Sequence, residues 1–251
     1  MNFEIEELTE LDDLRELVQL FLDIWERSTE PPVNSDVLRA LSHAGNYIAG
    51  SRSGGRLIGG IVGWLGMHAD GELLLHSHIL GVLPAKEARG LGFALKQHQR
   101  TWCLQRGVRT IEWTFDPLIR RNAYFNLNKL GAGAAEYLVD YYGAMNDGIN
   151  TGDQSDRILV RWDLDGDALA SEVDAAGVPA LLSIGDGREP LIERIGPPAT
   201  CTVPDDIVAI RHTRPDLGRR WREALRDTLG AHVMAGGRLK GVTRDGVYVL
   251  G

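Results

Sequence analysis

The sequence predicts an α/β (α+β) domain in which a mixed, mostly antiparallel sheet is flanked by helices. Up to residue 165, segments with strand-type alternation and helix-type periodicity follow one another in the order β-α-α-β-β-β-α-β-α-β-β. Short turns join three consecutive strands, which favours antiparallel pairing. Beyond residue 165 the segments become shorter. We therefore expect one domain over residues 1–165 and a C-terminal α+β extension or small second domain over residues 166–251.

The first elements are predicted from apolar spacing. Residues 3–8 alternate as a strand, and the run that follows places leucines, a valine, a phenylalanine and a tryptophan on one helical face. Thr9 is the predicted N-cap of this helix, because acidic residues fill the next turn. Ser35 and Asp36 start a second, short helix. Two strands then form a hairpin around the turn Ser53-Gly54-Gly55.

The central stretch of the chain is residues 73–95, LLLHSHILGVLPAKEARGLGFAL. Its first part reads as a strand that breaks at Pro84, and a glycine-rich turn at residues 89–94 leads directly into a helical pattern. The N-terminal end of a helix has unpaired N–H groups and a partial positive charge. We therefore expect this stretch to bind the diphosphate of a cofactor.

The later elements follow the same two patterns. Residues 108–117 alternate as a strand, and the helix before them implies that this strand is parallel to the central one. A helix is predicted over residues 118–130, then two strands separated by a polar loop at 146–155. In the extension we expect short strands, a helix over Pro215–Ala235 and a final hairpin.

Composition limits the classes of function. The formal net charge of −8 argues against a nucleic-acid binder and against docking to an anionic membrane. No apolar run reaches the roughly 18 residues of a membrane span, and the acidic N-terminus does not resemble a signal peptide. The two distant cysteines, Cys103 and Cys201, predict free thiols in a cytoplasmic protein. No metal site is expected, because His76 and His78 lack a third ligand at diagnostic spacing.

Two motifs carry a resemblance to a known family. The first is Arg89-x-x-Gly92-x-Ala94, at the turn after the central strand. The second is RNAYFNLNKLG, which places Ala123 inside a helix that ends in Lys129-Leu130-Gly131. With the order of elements, these motifs resemble the GCN5-related N-acetyltransferase (GNAT) superfamily over about residues 3–165. The finer pattern is similar to a predicted acetyltransferase subfamily of unassigned substrate.

The resemblance implies a fold and a co-substrate, which would be acetyl-CoA or another short acyl-CoA, with no metal. Its diphosphate would lie on the backbone of the turn, and its pantetheine would lie along the central strand. Asn122, early on the second-motif helix, matches a position that often contacts the cofactor. The implied cofactor residues are Leu80, Gly81, Val82, Arg89, Gly90, Leu91, Gly92, Phe93, Ala94 and Asn122.

Candidate catalytic residues lie on two neighbouring strands. His76 and His78 share one strand face by period two, and Glu112 lies on the next strand. In the resembled superfamily a Glu or His of the fourth strand often deprotonates the amine, and an imidazole suits this because its pKa is about 6.5. The two histidines are alternatively a structural pair. Asp116 reads as a helix N-cap or an ammonium contact.

The proton donor departs from the family pattern, because Leu127 stands where the superfamily usually has a tyrosine. Tyr124, one turn earlier, is the nearest substitute, and Tyr141 and Tyr142 on the next predicted strand are alternatives. The leading hypothesis is direct N-acylation of a small amine, such as an amino acid. A non-catalytic acyl-CoA-binding protein, O-acylation on the same fold, and a homodimer are left open.

Overall fold

The computed structural model describes residues 3–26, 31–85, 88–143, 145, 153–166, 172–193 and 196–251. The chain divides into two compact units, one of Met1–Trp113 with Asp163–Asp165 and one of Thr114–Trp162 with Gly166–Gly251. Most of the predicted loop at 146–155 lies outside the described residues. The functional boundary between residues 165 and 166 stays a prediction.

The first unit contains the elements that the sequence predicts for the part of the chain N-terminal to the second motif, RNAYFNLNKLG. They are β1 (Ile5–Glu7), α1 (Leu11–Ile24), α2 (Ser35–His43), β2 (Tyr47–Ser53), β3 (Arg56–Met67), β4 (Leu73–Val82), α3 (Leu91–Gln105) and β5 (Thr110–Phe115), whose last residues belong to the second unit. The strand order is β1-β2-β3-β4-β5. The first four strands pair antiparallel and β4 pairs parallel with β5. The predicted antiparallel run and the parallel crossover are both confirmed.

Helix α1 buries the apolar stripe that its sequence predicts. Leu14, Leu17 and Phe21 are fully buried in a core shared with residues of β2 and β3. The prediction that Thr9 caps this helix is wrong, since Glu10 is the N-cap residue and no side chain caps the helix. In α2 the cap is Asn34, whose Oδ1 accepts a hydrogen bond from the Val37 N–H at 2.9 Å.

Two adjacent glycines of β3 allow helices to approach both faces of the sheet. A Cβ atom at Gly60 would lie 2.2 Å from a Leu17 methyl of α1, and one at Gly59 would lie 2.7 Å from a Leu91 methyl of α3. Because successive strand residues point to opposite faces, α1 and α3 pack on opposite sides of β3. The first turn of α3 is thereby held against the sheet.

The second unit contains the remaining elements, with two π-helical segments at Tyr124–Lys129 and Arg226–Gly230. They are α4 (Arg120–Ala123), β6 (Gly133–Leu138), β7 (Arg157–Asp163), β8 (Ala180–Ile184), β9 (Pro190–Ile192), β10 (Ala199–Thr202), α5 (Ile207–Thr213), α6 (Pro215–Leu225), α7 (Ala231–Met234), β11 (Leu239–Val242) and β12 (Val247–Leu250). Strands β6 and β7 pair antiparallel, and a five-stranded sheet has the order β11-β12-β10-β8-β9. The predicted final hairpin is confirmed.

Several predictions for this unit need correction. The helix predicted over 118–130 begins at Arg120 and becomes π-helical at Tyr124. Strand β6 ends at Leu138, so Tyr141 and Tyr142 lie in the following turn and not on a strand. Strand β10 and helix α5 were not predicted, because four and seven residues are too few to show a clear period.

A buried group of two aspartates and two arginines lies inside the second unit. Asp116 contacts Arg211 at 2.7 Å and Arg222 at 2.9 Å, and Asp153 contacts the same two arginines at 2.9 and 3.1 Å. No side chain of the four is more than 5% exposed. Burial alone would raise the pKa of Asp116, but the two guanidinium groups hold it far below its usual value.

The arginines overturn the prediction that Asp116 contacts a substrate ammonium or acts as a helix N-cap. Its carboxylate is enclosed by two guanidinium groups, and it also accepts a hydrogen bond from the Leu118 N–H at 3.0 Å. The N-cap position of α4 belongs to Ile119. Asp116 is therefore a structural residue of the second unit.

We predict that Arg222→Met destabilises the protein strongly. Removing Arg222 leaves the two buried carboxylates with Arg211 as their remaining partner in this group, and breaking a buried ion pair typically costs about 3–5 kcal/mol. The control is Arg220→Met, which removes an exposed arginine from the same helix. Free energies of unfolding from urea titrations would measure both effects, and a loss below about 1 kcal/mol for Arg222→Met would contradict the role of the buried group.

Candidate active site

The site begins where β4 and β5 separate. Their parallel ladder within the first unit consists of three pairs and ends with His76 opposite Glu112. Strand β4 continues to Val82, and its main-chain groups beyond the ladder lie at a strand edge. Such an edge can form hydrogen bonds with an extended ligand.

The two histidines of β4 lie next to this separation. The register with β3 passes from Ile79 opposite Val62 to Ser77 opposite Gly63, so His78 is the extra residue of a β-bulge. Ring centroids lie 5.0 Å apart for Trp64 and His76, 4.6 Å for Trp64 and His78, and 5.8 Å for the two histidines. These contacts confirm the prediction that His76 and His78 share a face.

Glu112 stands beside the histidines and has a partner that the sequence did not reveal. The Oε1 atom of Glu112 lies 3.4 Å from Nε2 of His68. His68 follows β3 in a turn, where its N–H donates to the Glu72 carbonyl at 2.9 Å. A histidine in a turn shows no periodicity, so only the spatial proximity identifies it.

Burial keeps both β4 histidines neutral near neutral pH. It lowers the pKa of His78 to about 4, helped by the neighbouring charge of His76 and opposed by a hydrogen bond to the Pro32 carbonyl. Burial also lowers the pKa of His76, and there the nearby Glu112 carboxylate works in the opposite direction. Both imidazoles can therefore accept a proton. His76 is the better supported candidate for a general base, because the Glu112 carboxylate favours its protonated form.

The opposite face of the same strands holds a buried lysine. Lys96 of α3 is only 3% exposed, and its Nζ donates to Ser77 Oγ at 2.8 Å and lies 3.6 Å from the centre of the Trp113 ring. Burial lowers the pKa of this ammonium group well below its usual value. Ser77 and Trp113 directly follow His76 and Glu112 in sequence, so Lys96 joins α3 to β4 and β5 where they part.

The glycine turn has the geometry that the sequence predicted. Gly90 is the N-cap residue of α3 and has φ of +91°, which favours glycine because a side chain is strained there. The helix starts at Leu91, and the Ala94 N–H donates to the Gly90 carbonyl at 3.2 Å. The N–H groups of Leu91 and Gly92 have no acceptor within the helix, as at any helix start.

The other candidate residues lie in the second unit. Asn122 is an exposed residue of α4, and the N-cap position belongs to Ile119, so the Asn122 side chain does not cap this helix. Tyr124 begins the π-helical segment, with the Arg244 guanidinium 5.3 Å from its ring. The Tyr142 hydroxyl lies 3.1 Å from Thr114 Oγ1.

The described residues hold no cluster of metal-type ligands and no helix of membrane-spanning length and apolarity. Among them, no group of three His, Cys, Asp or Glu side chains is placed to hold a metal ion. None of the helices in the described ranges is both long and apolar enough to cross a membrane.

Comparison with solved structures identifies the class of fold. The chain has the GNAT fold, as its motifs predicted. An N-acetyltransferase from Staphylococcus aureus Mu50 matches with a TM-score of 0.51 and 16% identity, over 65% of this chain and 99% of that one.

Two further structures match comparably. The ribosomal-protein-S18-alanine N-acetyltransferase from Escherichia coli has a TM-score of 0.50 and 16% identity, over 70% of this chain and 98% of its own. A chain of the NatC complex bound to Gag peptide and CoA has a TM-score of 0.50 and 18% identity, over 65% and 99%. Neither models of protein families nor sequences of curated proteins gave a match.

We predict that acidification destabilises the fold through His78. The unfolded chain binds a proton near pH 6.5, whereas the folded chain does not bind it until about pH 4. Stability should therefore fall as the pH decreases from about 6.5 to 4. Histidine side-chain NMR should show His78 titrating near pH 4, and His78→Gln should lose part of the pH dependence of the urea midpoint. A His78 titration near pH 6.5 would contradict this.

Proposed function

We propose that the protein is an acyl-CoA-dependent N-acyltransferase that transfers an acetyl or other short acyl group directly to a small primary amine. One observation carries this proposal. Among the described residues, β4 has no ladder partner on the β5 side after His76, and the Gly90 turn and the N-terminal end of α3 follow β4 in the chain. A strand edge and a helix start in succession suit the amides and the diphosphate of CoA.

The residues of the first unit suggest how CoA would be held. The pantetheine amides would bond to main-chain groups at Leu80, Gly81 and Val82, while the diphosphate would accept from N–H groups of residues 90–92. Ala94 is less suited than the sequence implied, because its N–H already donates to the Gly90 carbonyl. Arg89 is exposed beside this turn and would add a charge-assisted hydrogen bond. Asn122 stays a proposed additional cofactor contact.

The chemistry requires that protons leave the acceptor. An ammonium acceptor loses two protons overall, one to the departing CoA thiolate and one to solvent, as the C–N bond forms and the C–S bond breaks. His76 is the proposed base, because Glu112 stands opposite it and supports its protonated form. His78 is the second candidate, and its low pKa makes it the weaker base.

Tyr124 is the proposed proton donor, with Tyr141 and Tyr142 as alternatives. A CoA thiolate leaves without a strong acid, so the proposal does not depend on a donor. We include a cytoplasmic location in the proposal, supported by the acidic composition and by two buried free thiols, Cys103 and Cys201. A non-catalytic acyl-CoA-binding protein is the alternative function.

We predict that CoA stabilises the protein and that Arg89→Gln weakens this. A ligand at 100 times its Kd should add about 2.7 kcal/mol to the stability of the folded state. Losing one charge-assisted hydrogen bond should raise the Kd about tenfold. The control is Arg56→Gln, an exposed arginine at the start of β3. Thermal shifts with acetyl-CoA, succinyl-CoA and free CoA measure the effect, and the absence of any shift would overturn the proposal.

We predict that His76→Gln lowers kcat at least about 100-fold, since a general base typically contributes 100- to 10,000-fold. The affinity for acyl-CoA should not change, because the imidazole is not part of the cradle. Thiol release would be followed with amino acids, other small amines and peptide amino termini as acceptors. Wild-type protein that binds acyl-CoA but releases no thiol with any amine would favour the binding protein. If the His76→Gln variant keeps full activity, His76 is not the general base.

A further inference from the structure

His68 connects the candidate active site to solvent. Its side chain is 27% exposed, whereas that of Glu112, 3.4 Å away, is 10% exposed. Glu112 in turn stands opposite the half-buried His76 in the parallel register. Glu112 is thus the most buried of the three groups: it contacts the partly exposed His68 and stands opposite the partly exposed His76.

The proposed acyl transfer requires a path by which a proton leaves the active site for solvent. If the acceptor starts as an ammonium ion, one proton in each cycle must reach water, because the CoA thiolate takes only the other. His76 is partly buried beside Trp64 and His78, and an acceptor that binds at this imidazole would cover more of it. A group that takes the proton from the His76 imidazole must release that proton before the next catalytic cycle.

We propose that His68 is the solvent end of a proton relay, in which Glu112 takes the acceptor's proton from His76 and passes it to His68 and then to water. This inference rests on the proposed function. One proton enters at His76 and one leaves at His68, so the relay is unchanged after each cycle. His68 acts through Glu112 and is therefore a positioning residue that does not touch the acceptor.

The positions and charges of the groups around the relay are compatible with proton transfer from His76 through Glu112 to His68. His68 and His76 approach Glu112 on one face of the sheet, and His78 lies beyond His76. Burial lowers the pKa of His76 most, and Lys96 on the other face adds to this in its charged form, which burial disfavours. Glu112 acts in the opposite direction and favours a proton on His76, and it is also the group that contacts His68.

The test compares His68→Gln with His43→Gln, an exposed histidine at the end of α2. At low buffer concentration we expect kcat of His68→Gln to fall about tenfold, with the KM for acyl-CoA and the melting temperature unchanged. Raising the buffer concentration should restore kcat, and free imidazole should rescue His68→Ala. The acidic limb of the pH dependence of kcat should also shift in His68→Gln relative to the wild-type protein. A purely structural role predicts neither rescue nor buffer dependence.

Two negative results have different meanings. If wild-type protein turns over and His68→Gln matches His43→Gln in kcat at every buffer concentration, the relay is wrong and the proposed function stands. If wild-type protein releases no thiol from any acyl-CoA with any amine, the proposed function fails and the relay fails with it.

Discussion

The contact of Lys96 with Ser77 and Trp113 is the constraint on which the candidate site depends. A lysine that is almost fully buried costs free energy unless it is neutral or well partnered, and here a hydroxyl and an aromatic face surround it. Because Ser77 and Trp113 belong to β4 and β5, the contact ties α3 to both strands at the end of their ladder. The orientation of the α3 N-terminal end relative to the edge of β4 follows from that attachment.

The other face of these strands has a different electrostatic character. Three imidazoles, one carboxylate and Trp64 lie together there, and burial keeps the histidines of β4 neutral. A neutral imidazole next to a carboxylate can take up a proton because the opposite charge stabilises the imidazolium that forms. One pair of strands therefore carries a structural amine on one side and proton-accepting groups on the other, separated by the alternation of side chains.

Sequence patterns predicted the parts of the molecule that depend on local spacing. Alternation gave the strand order and the common face of His76 and His78, and the glycine turn gave the start of α3. Contacts between segments that are distant in sequence could not be predicted from the local spacing of apolar and polar residues. Arg211 and Arg222 stand 95 and 106 residues after Asp116, and the pairing of His68 with Glu112 requires a turn to fold back towards β5.

Where a local pattern failed, a competing local interaction explains it. Alternation continues through Tyr141 and Tyr142, but the Ser155 hydroxyl accepts from the Tyr142 N–H at 2.9 Å and its carbonyl accepts from the Tyr141 N–H at 3.2 Å. Asp140, just before them, has φ of +47° and accepts from the Ser155 N–H at 3.0 Å. These bonds turn the chain after Leu138, and no periodicity of side chains encodes them.

The two faces of β4 and β5 also bear on the choice between an enzyme and a binding protein. Holding acyl-CoA needs only the strand edge and the start of α3, which the face with Lys96 supports. The line from His76 through Glu112 to His68 adds nothing to that cradle, and placing a carboxylate with 10% exposure there has a desolvation cost. Proton removal from an amine needs a basic group, and His76 beside Glu112 can supply one on this face. The chemistry on that second face therefore favours catalysis over binding.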